Sequence, residues 1–465
     1  MLLKNKLDKI KSLLKNDNVL ANLEEHYCYS QDSYNLESAT KLPDLVVFVE
    51  TIEDVQNILK YANLYEIPII ARGAGTNMVG ACTCKQGGIV LNFSKMNKII
   101  DINPINMTTT VQPGVIMGYL KNEVDKLGLF FPPDPSNYKV STVGGAIAQS
   151  SGGAMSFKYG TMKDYVLSLK VVTASGELIK FGTDTIKDAA GYHIAQLMVG
   201  SEGTLGIVVE AVLKLIPRPE TSKTIVAYFN NIESCVNTVT KLLTNNIYPS
   251  TIDFMDKNSM LTTEDYIHAG IKTDNNCMLL IKLDDFDSSI KEQVKKVENL
   301  LQDSNIKEYI IPNKIEEEAI WNARRSSYSA TTRLAPDVIS DDIIVPRDKI
   351  ALLVNRCNEI SAKYDLKMCL VGHIGDGNLH PQIALNLDNE EEFRNYNNAK
   401  AEIYAYVFEL GGSISAEHGI GLAKLPYLGN TIDKGALEYM KTLKQVFDPK
   451  NILNPEKIFE ANNKE

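Results

Sequence analysis

His373 and His380 bracket the run V-G-H-I-G-D-G-N-L-H-P, and Glu417 and His418 follow in A-E-H-G-I-G, so three of the chain's six histidines fall within 46 residues. Two imidazoles and a carboxylate make a donor set for a divalent cation, and a further imidazole beside them is a candidate general base. Asp376-Gly377, between two apolar runs, signals a two-residue hairpin turn. That turn pairs His373 directly with His380, whose Cβ atoms would then lie about 4.5–5.5 Å apart on one face. Glu417, arriving on S-I-S-A-E-H, would add the carboxylate, and three protein ligands leave coordination positions open, as catalytic sites do. Glu417 and His418 point apart on a regular strand, so the glycines that follow must bend the chain if both are to converge. The alternatives are two hydrogen-bonded histidines on a half-buried hairpin, or a metal hydrolase using the same ligands.

The elements around this cluster fall into three stretches. Residues 43–220 alternate short strands with glycine-rich turns: a strand at 43–49, an amphipathic helix at 52–65, and a strand running from residue 67 into R-G-A-G-T-N. Glycine density peaks again in T-V-G-G-A-I-A-Q-S-S-G-G-A (142–154) and V-G-S-E-G-T-L-G-I-V (199–208). Glycine at this density lets backbone N–H groups approach a phosphate or a flat ring. Two prolines in L-I-P-R-P-E close the first stretch. From Thr224 strand-like segments alternate with long amphipathic helices such as 288–302, the pattern of an antiparallel sheet covered by helices. Residues 391–410 read as one more helix, stopped by Gly411-Gly412. The expected organisation is an α+β chain with domains at 1–220 and 221–415 and a proline-punctuated, partly helical segment at 416–465 that folds back on the first domain.

At 465 residues, with 44% hydrophobic and 23% charged residues and a net charge of -10, the chain has the composition of a globular protein of more than one domain. The acidic balance argues against nucleic acid, which needs a basic surface. Seven scattered cysteines without a C-x-x-C pair suit reduced thiols in the cytoplasm, and an iron–sulfur cluster would need a four-thiolate spacing that is missing. Cys82 and Cys84 read as loop cysteines, with a redox or metal role as the alternative. Leu3, Leu7, Ile10 and Leu14 form one stripe of an N-terminal helix, packed on the protein's own body or, alternatively, on a membrane surface. No run is long enough to cross a membrane.

R-G-A-G-T-N is neither a Rossmann turn nor a Walker loop. With P-P-D-P-S (132–136) and the two later glycine blocks in fixed order, however, the chain resembles the PCMH-type FAD-binding fold of the vanillyl-alcohol oxidase superfamily. Within it the chain is similar to the D-lactate dehydrogenase and glycolate oxidase flavoprotein-subunit family over roughly residues 40–460. The resemblance implies FAD as cofactor, with Arg72, Gly73, Ala74, Gly75, Thr76 and Asn77 wrapping the pyrophosphate and Met78 and Gly80 continuing that loop. Pro133, Asp134, Ser141, Thr142, Gly144, Gly145, Ser151 and Gly152 would line the ribityl and isoalloxazine side. Tyr159, Gly160, Glu202, Gly206, Ile207 and Asn454 would complete the cofactor site. His193, where relatives carry Asp, reads as a local packing variation and not a covalent flavin anchor.

The same resemblance makes His373, His380 and Glu417 ligands of zinc, manganese or iron, and His418 the base. Arg324 becomes the cation for a substrate carboxylate, Arg325 and Arg333 being neighbours and Arg333 better suited to a surface ion pair. Asn378 and Lys424 could touch substrate or serve as structural donors. The implied reaction is oxidation of a small D-2-hydroxy acid: D-lactate first, glycolate next, and D-2-hydroxyglutarate less favoured for want of a second cation. Electrons would leave to an electron-transfer flavoprotein, an iron–sulfur subunit, a quinone or a dye-like carrier.

Overall fold

Helix Ile52–Tyr65 shows how locally the first part of the chain is written. Thr51 caps it by accepting the Asp54 N–H at 3.1 Å, Val55, Ile58, Leu59 and Ala62 are buried, and Glu66 ends it in the left-handed region at φ 53°. The computed structural model describes residues 8–12, 14, 18–20, 22–34 and 41–459. Of the N-terminal stripe, Leu3 and Leu7 lie outside these residues, whereas Ile10 is fully buried and Leu14 packs against the same core.

The chain forms two compact units. The first takes its residues from 1–151, 161–218 and 417–465, the second from 152–160 and 219–416. In the first unit, strands β1 (Leu45–Phe48), β2 (Ile69–Arg72) and β3 (Ile89–Asn92) form a parallel sheet in the order β1-β3-β2. Their near-continuous apolar runs are what a sheet buried on both faces requires. Strands β4 (Ile99–Asn103), β5 (Thr108–Val111), β6 (Val166–Val172), β7 (Leu178–Gly182) and β8 (Ile207–Lys214) form an antiparallel sheet in the order β4-β5-β8-β6-β7. The block beginning T-V-G-G, expected as a glycine loop, contains a short helix instead, Val143–Gln149, capped by Thr142. Residues 417–459 share this unit: Leu453 bridges Ile69, and the Lys444 ammonium is held by the Thr204 and Leu453 carbonyls at 2.9 and 2.8 Å.

The second unit is built on one antiparallel sheet. Its strands are β9 (Thr221–Phe229), β10 (Thr251–Asp256), β11 (Cys277–Asp285), β12 (Glu308–Ile310), β13 (Asp337–Ser340), β14 (Ile343–Ile344), β15 (Lys367–Gly372) and β16 (Asn378–Leu385). The order is β12-β9-β11-β10-β15-β16-β13, with β14 also pairing with β16. Helices Ile232–Thr244 and Asp287–Gln302 pack on β9 and β11. Ile320, Trp321 and Ala323 of helix Lys314–Arg325 pack against Val226, Tyr228, Met255 and Leu280. Helix Glu390–Glu409 is followed by Gly411 at φ 75°, a conformation that favours glycine. Among the described residues no helix is long and apolar enough to cross a membrane.

Candidate functional site

The hairpin carrying the two histidines is wider than Asp376-Gly377 alone would make it. β15 ends at Gly372, and the observed register pairs Val371 with His380 and Leu370 with Pro381. The direct pairing of His373 with His380 is therefore incorrect by two residues. His373 lies beyond the strand end, and its carbonyl accepts the Asp376 N–H at 2.9 Å and the Asn378 N–H at 3.3 Å. A shift of two keeps side chains on the same face of a strand. The imidazoles still meet, with ring centroids 5.4 Å apart at an interplanar angle of 81°.

Each ring has one nitrogen occupied by a group behind it. His373 Nδ1 lies 2.5 Å from Asp253 Oδ1. His380 Nδ1 lies 3.3 Å from the Asp341 carbonyl and 3.7 Å from Asp342 Oδ1. Oxygen partners on Nδ1 leave Nε2 as the donor toward a cation, the arrangement by which proteins orient metal-binding histidines. Both side chains are buried, so a cation there would be bound with little competition from water.

Asp253 was not singled out by sequence. It sits on β10, a strand buried along its whole length, and faces helix Lys314–Arg325. Its second oxygen lies 2.9 Å from Arg324 Nε, an ion pair whose N–H is not aligned on the oxygen. Burial alone would raise the Asp253 pKa, but Arg324 and then His373 carry it below the usual carboxylate range. Arg324 Nη2 is buried and has no hydrogen-bond partner. A guanidinium donor left this way is suited to an incoming carboxylate. Arg325 is exposed, and Arg333 forms a surface ion pair with Asp265 at 3.0 Å. If His373 is a metal ligand, Asp253→Asn should weaken metal binding roughly 10–100-fold at unchanged flavin content. Titration of the chelated protein with zinc or manganese measures this.

Asp342, fully buried, ties the rest of this unit's cluster together. Its Oδ1 accepts the Asn378 side-chain amide at 2.8 Å, and its Oδ2 accepts the Ala416 N–H at 2.9 Å. The same Asn378 amide also donates to the Ile343 carbonyl at 2.9 Å, so its N–H groups serve the protein and not a substrate. Tyr404 holds Asp341 through both carboxylate oxygens, at 2.7 and 2.8 Å. Ala416 is the last residue of this unit; Glu417 and His418 follow it in the chain and belong to the first unit.

There the expected flavin loops divide into those with backbone groups to spare and those without. Among the described residues, the N–H groups of Gly73 through Met78 donate to no acceptor in the chain. Six consecutive free donors form a cradle suited to a pyrophosphate. Gly75 lies at φ 70°, and a Cβ there would strike the Arg72 guanidinium. That guanidinium lies against the loop at Gly75 and donates through Nη1 to the Gln31 carbonyl at 2.8 Å, so Arg72 braces the cradle from one side. The buried Ser141 hydroxyl, Gln149 Oε1 and Asn454 Oδ1 have no partner, which fits a large polar cofactor.

Other expected contacts are already engaged. Thr142 Oγ1 accepts the Gly145 N–H, Gly144 donates to the Pro113 carbonyl, and Ser151 donates to Ala146. Gly206 makes room for Val171, and Ile207 belongs to the core. Asp134 pairs with Lys121 at 3.3 Å. Gly80 takes φ 79°, and Pro133 is buried next to Asp134. Gly152, Tyr159 and Gly160 belong to the second unit, where the Tyr159 hydroxyl donates to Asp284 at 2.8 Å. The backbone N–H and carbonyl of Glu202 and both its carboxylate oxygens already have partners within the chain. His193 is exposed ahead of helix Ile194–Met198, so it is not a packing residue. All seven cysteines are free, and burial pushes both Cys82 and Cys84 up to about 12, which disfavours thiolate chemistry. Lys424 is buried.

Comparison with known proteins agrees with these features. Residues 43–182 match the family model of an FAD binding domain, and residues 218–458 match that of the C-terminal domain of FAD linked oxidases. The glycolate oxidase subunit GlcD of Bacillus subtilis is 43% identical over 90% of this chain and 89% of its own length. The D-lactate dehydrogenase of Anaerostipes hadrus is 34% identical, again over 90% and 89%. The structure of p-cresol methylhydroxylase with substrate bound superimposes with a TM-score of 0.83 at 17% identity, covering 100% of this chain and 98% of the other. This last likeness is one of fold, the PCMH type.

Proposed function

The chain belongs to the FAD-linked oxidase family, and on that premise we propose that it oxidises a small 2-hydroxy acid, D-lactate, to the 2-oxo acid. The observation that carries this reading is the Asp253 bridge. One buried carboxylate holds both the arginine suited to a substrate carboxylate and one of two adjacent imidazoles. A metal hydrolase has no use for an FAD domain, and that alternative is set aside.

In this reading FAD would supply the acceptor for two electrons, and His373, His380 and Glu417 would hold a divalent cation whose positive charge would make the hydroxyl acidic. The remaining work falls to the chain. Arg324 fixes the carboxylate, and with it the face that C2 presents. His418 takes the hydroxyl proton as the C2–H bond gives up its hydrogen with the electron pair, so that a C=O replaces the C–OH. Burial of Arg324, His373 and His380 excludes water and strengthens these electrostatic contacts. Asn378 and Asp342 act behind them, as fixed supports.

Glycolate is the second reading, favoured by the glycolate oxidase subunit at 43% identity. That relative is a subunit by name, which supports an external electron acceptor such as an iron–sulfur subunit or an electron-transfer flavoprotein. The test is anaerobic mixing of the yellow holoprotein with D-lactate or glycolate. Flavin absorbance near 450 nm should bleach, fastest with D-lactate. In His418→Ala, with flavin still bound, bleaching should slow by roughly 10²–10⁴-fold, the usual share of a general base. A wild-type flavin that neither acid reduces would rule the function out.

A further inference from the structure

Glu202 is placed at some cost to the fold. It is buried, it is a non-glycine residue at φ 53° in the left-handed region, and burial pushes its carboxyl up to about 7. Such costs persist where the surroundings impose them, and here the surroundings are explicit. Glu202 N–H donates to the Ala148 carbonyl at 2.8 Å, and its own carbonyl accepts the Asn454 amide at 2.7 Å. Its carboxylate accepts two consecutive backbone N–H groups, Ile420 at 2.7 Å and Gly421 at 2.9 Å. These two residues belong to the E-H-G-I-G turn. From the other side, Asn77 of R-G-A-G-T-N donates its side-chain amide to the His418 carbonyl at 3.0 Å. Asn77 is itself locked, its Oδ1 accepting the Val79 N–H at 2.9 Å. The turn needs this help, since Gly419 and Gly421 have φ values of 86° and 50°.

We propose that Glu202, with Asn77, is a positioning residue that clamps the turn carrying His418, so that the loops of the flavin domain set the base directly. The assignment of His418 as base rests on the function proposed above; the clamp does not. The backbone N–H and carbonyl of Glu202 and both its carboxylate oxygens are bonded within the chain, and both oxygens are spent on the turn. The two carboxylate oxygens match two N–H donors, a demand that an amide cannot meet, because its NH₂ would face one of them.

The experiment compares purified wild-type holoprotein with Glu202→Gln by hydrogen exchange, flavin content and steady-state kinetics with D-lactate. Expected are faster amide exchange in the segment 417–423, full flavin content, and a kcat lower by roughly 10–100-fold with KM within about threefold, since misplacing a catalytic group by an ångström costs about that much. Gly419→Ala approaches the clamp from the other partner, because its Cβ would meet Gln149 Oε1 and the Glu202 carboxylate. It should shift exchange and kcat in the same direction, and it decides the matter if Glu202→Gln does not fold. Unchanged exchange in both variants overturns the clamp, and flavin loss with unchanged exchange points to a direct flavin contact instead. Faster exchange with unaltered kcat overturns the positioning role. If the wild type turns over no 2-hydroxy acid, the proposed function fails, while the exchange result still decides the clamp.

Discussion

His380→Ala is expected to lower kcat/KM for D-lactate by about 10³-fold or more while the protein stays yellow. The size follows from what the cation would do: stabilising charge on the hydroxyl oxygen contributes several kcal/mol, and each ~1.4 kcal/mol is a factor of ten. His380 lies mid-strand on β16, and its Nδ1 faces the Asp341 carbonyl, so the substitution removes the Nε2 that would meet the cation. The flavin cradle belongs to the other unit, so flavin absorbance should survive the substitution. Metal content by atomic emission, read beside the flavin spectrum, separates loss of the cation from loss of the fold. The exposed His193→Ala is the control and should leave rate, metal and flavin unaltered. A His380→Ala enzyme with near-normal turnover would remove the histidine pair from the mechanism.

Arg324→Met is expected to be as damaging to activity and far more damaging to stability. The lost carboxylate contact should lower kcat/KM by roughly 10²–10³-fold, because charge-assisted hydrogen bonds to a desolvated carboxylate are among the strongest that a site can offer. The substitution also takes from Asp253 the guanidinium that balances its buried charge and leaves only the His373 imidazole against it, which costs about 3–5 kcal/mol. Arg324→Lys retains the charge but not the forked geometry, so it should recover most of the stability and little of the activity. Asp253→Asn/Arg324→Met removes both charges. It should be more stable than Arg324→Met alone and remain inactive, a pattern that a double-mutant cycle by thermal melting and initial rates would show.

The fold was legible because its signals are local. Alternating strands and helices, and glycine blocks in fixed order, are written in neighbouring residues, and the bounds of helix Ile52–Tyr65 follow from its cap and apolar spacing alone. The hairpin register was not legible at that level. Asp376-Gly377 signals a turn, but whether His373 still pairs depends on contacts with β10 and β14, far away in sequence. Asp253 escaped because T-I-D-F-M-D reads as an ordinary strand; its one signal is an acid in a strand that turns out to be buried throughout. Asp341-Asp342, two acids between two apolar runs, carried a similar unused hint. Glu202 could be found only by asking where the N–H groups of Ile420 and Gly421 go, a question about tertiary structure.

The interleaving of the two units bears on how the protein is made. The cradle loop at 73–78 leaves the ribosome early, but Ile420 and Gly421, which Glu202 holds, and Leu453 and Asn454, which meet Ile69 and Ala81 on either side of that loop, emerge only after the whole of 219–416. The second unit, nearly contiguous in sequence, can close during synthesis, whereas the first must hold an unfinished sheet until its last strand-bridging residues arrive. The exposed edge of an early, apolar parallel sheet is the stage at which cofactor shortage or slowed translation would divert the nascent chain to aggregation.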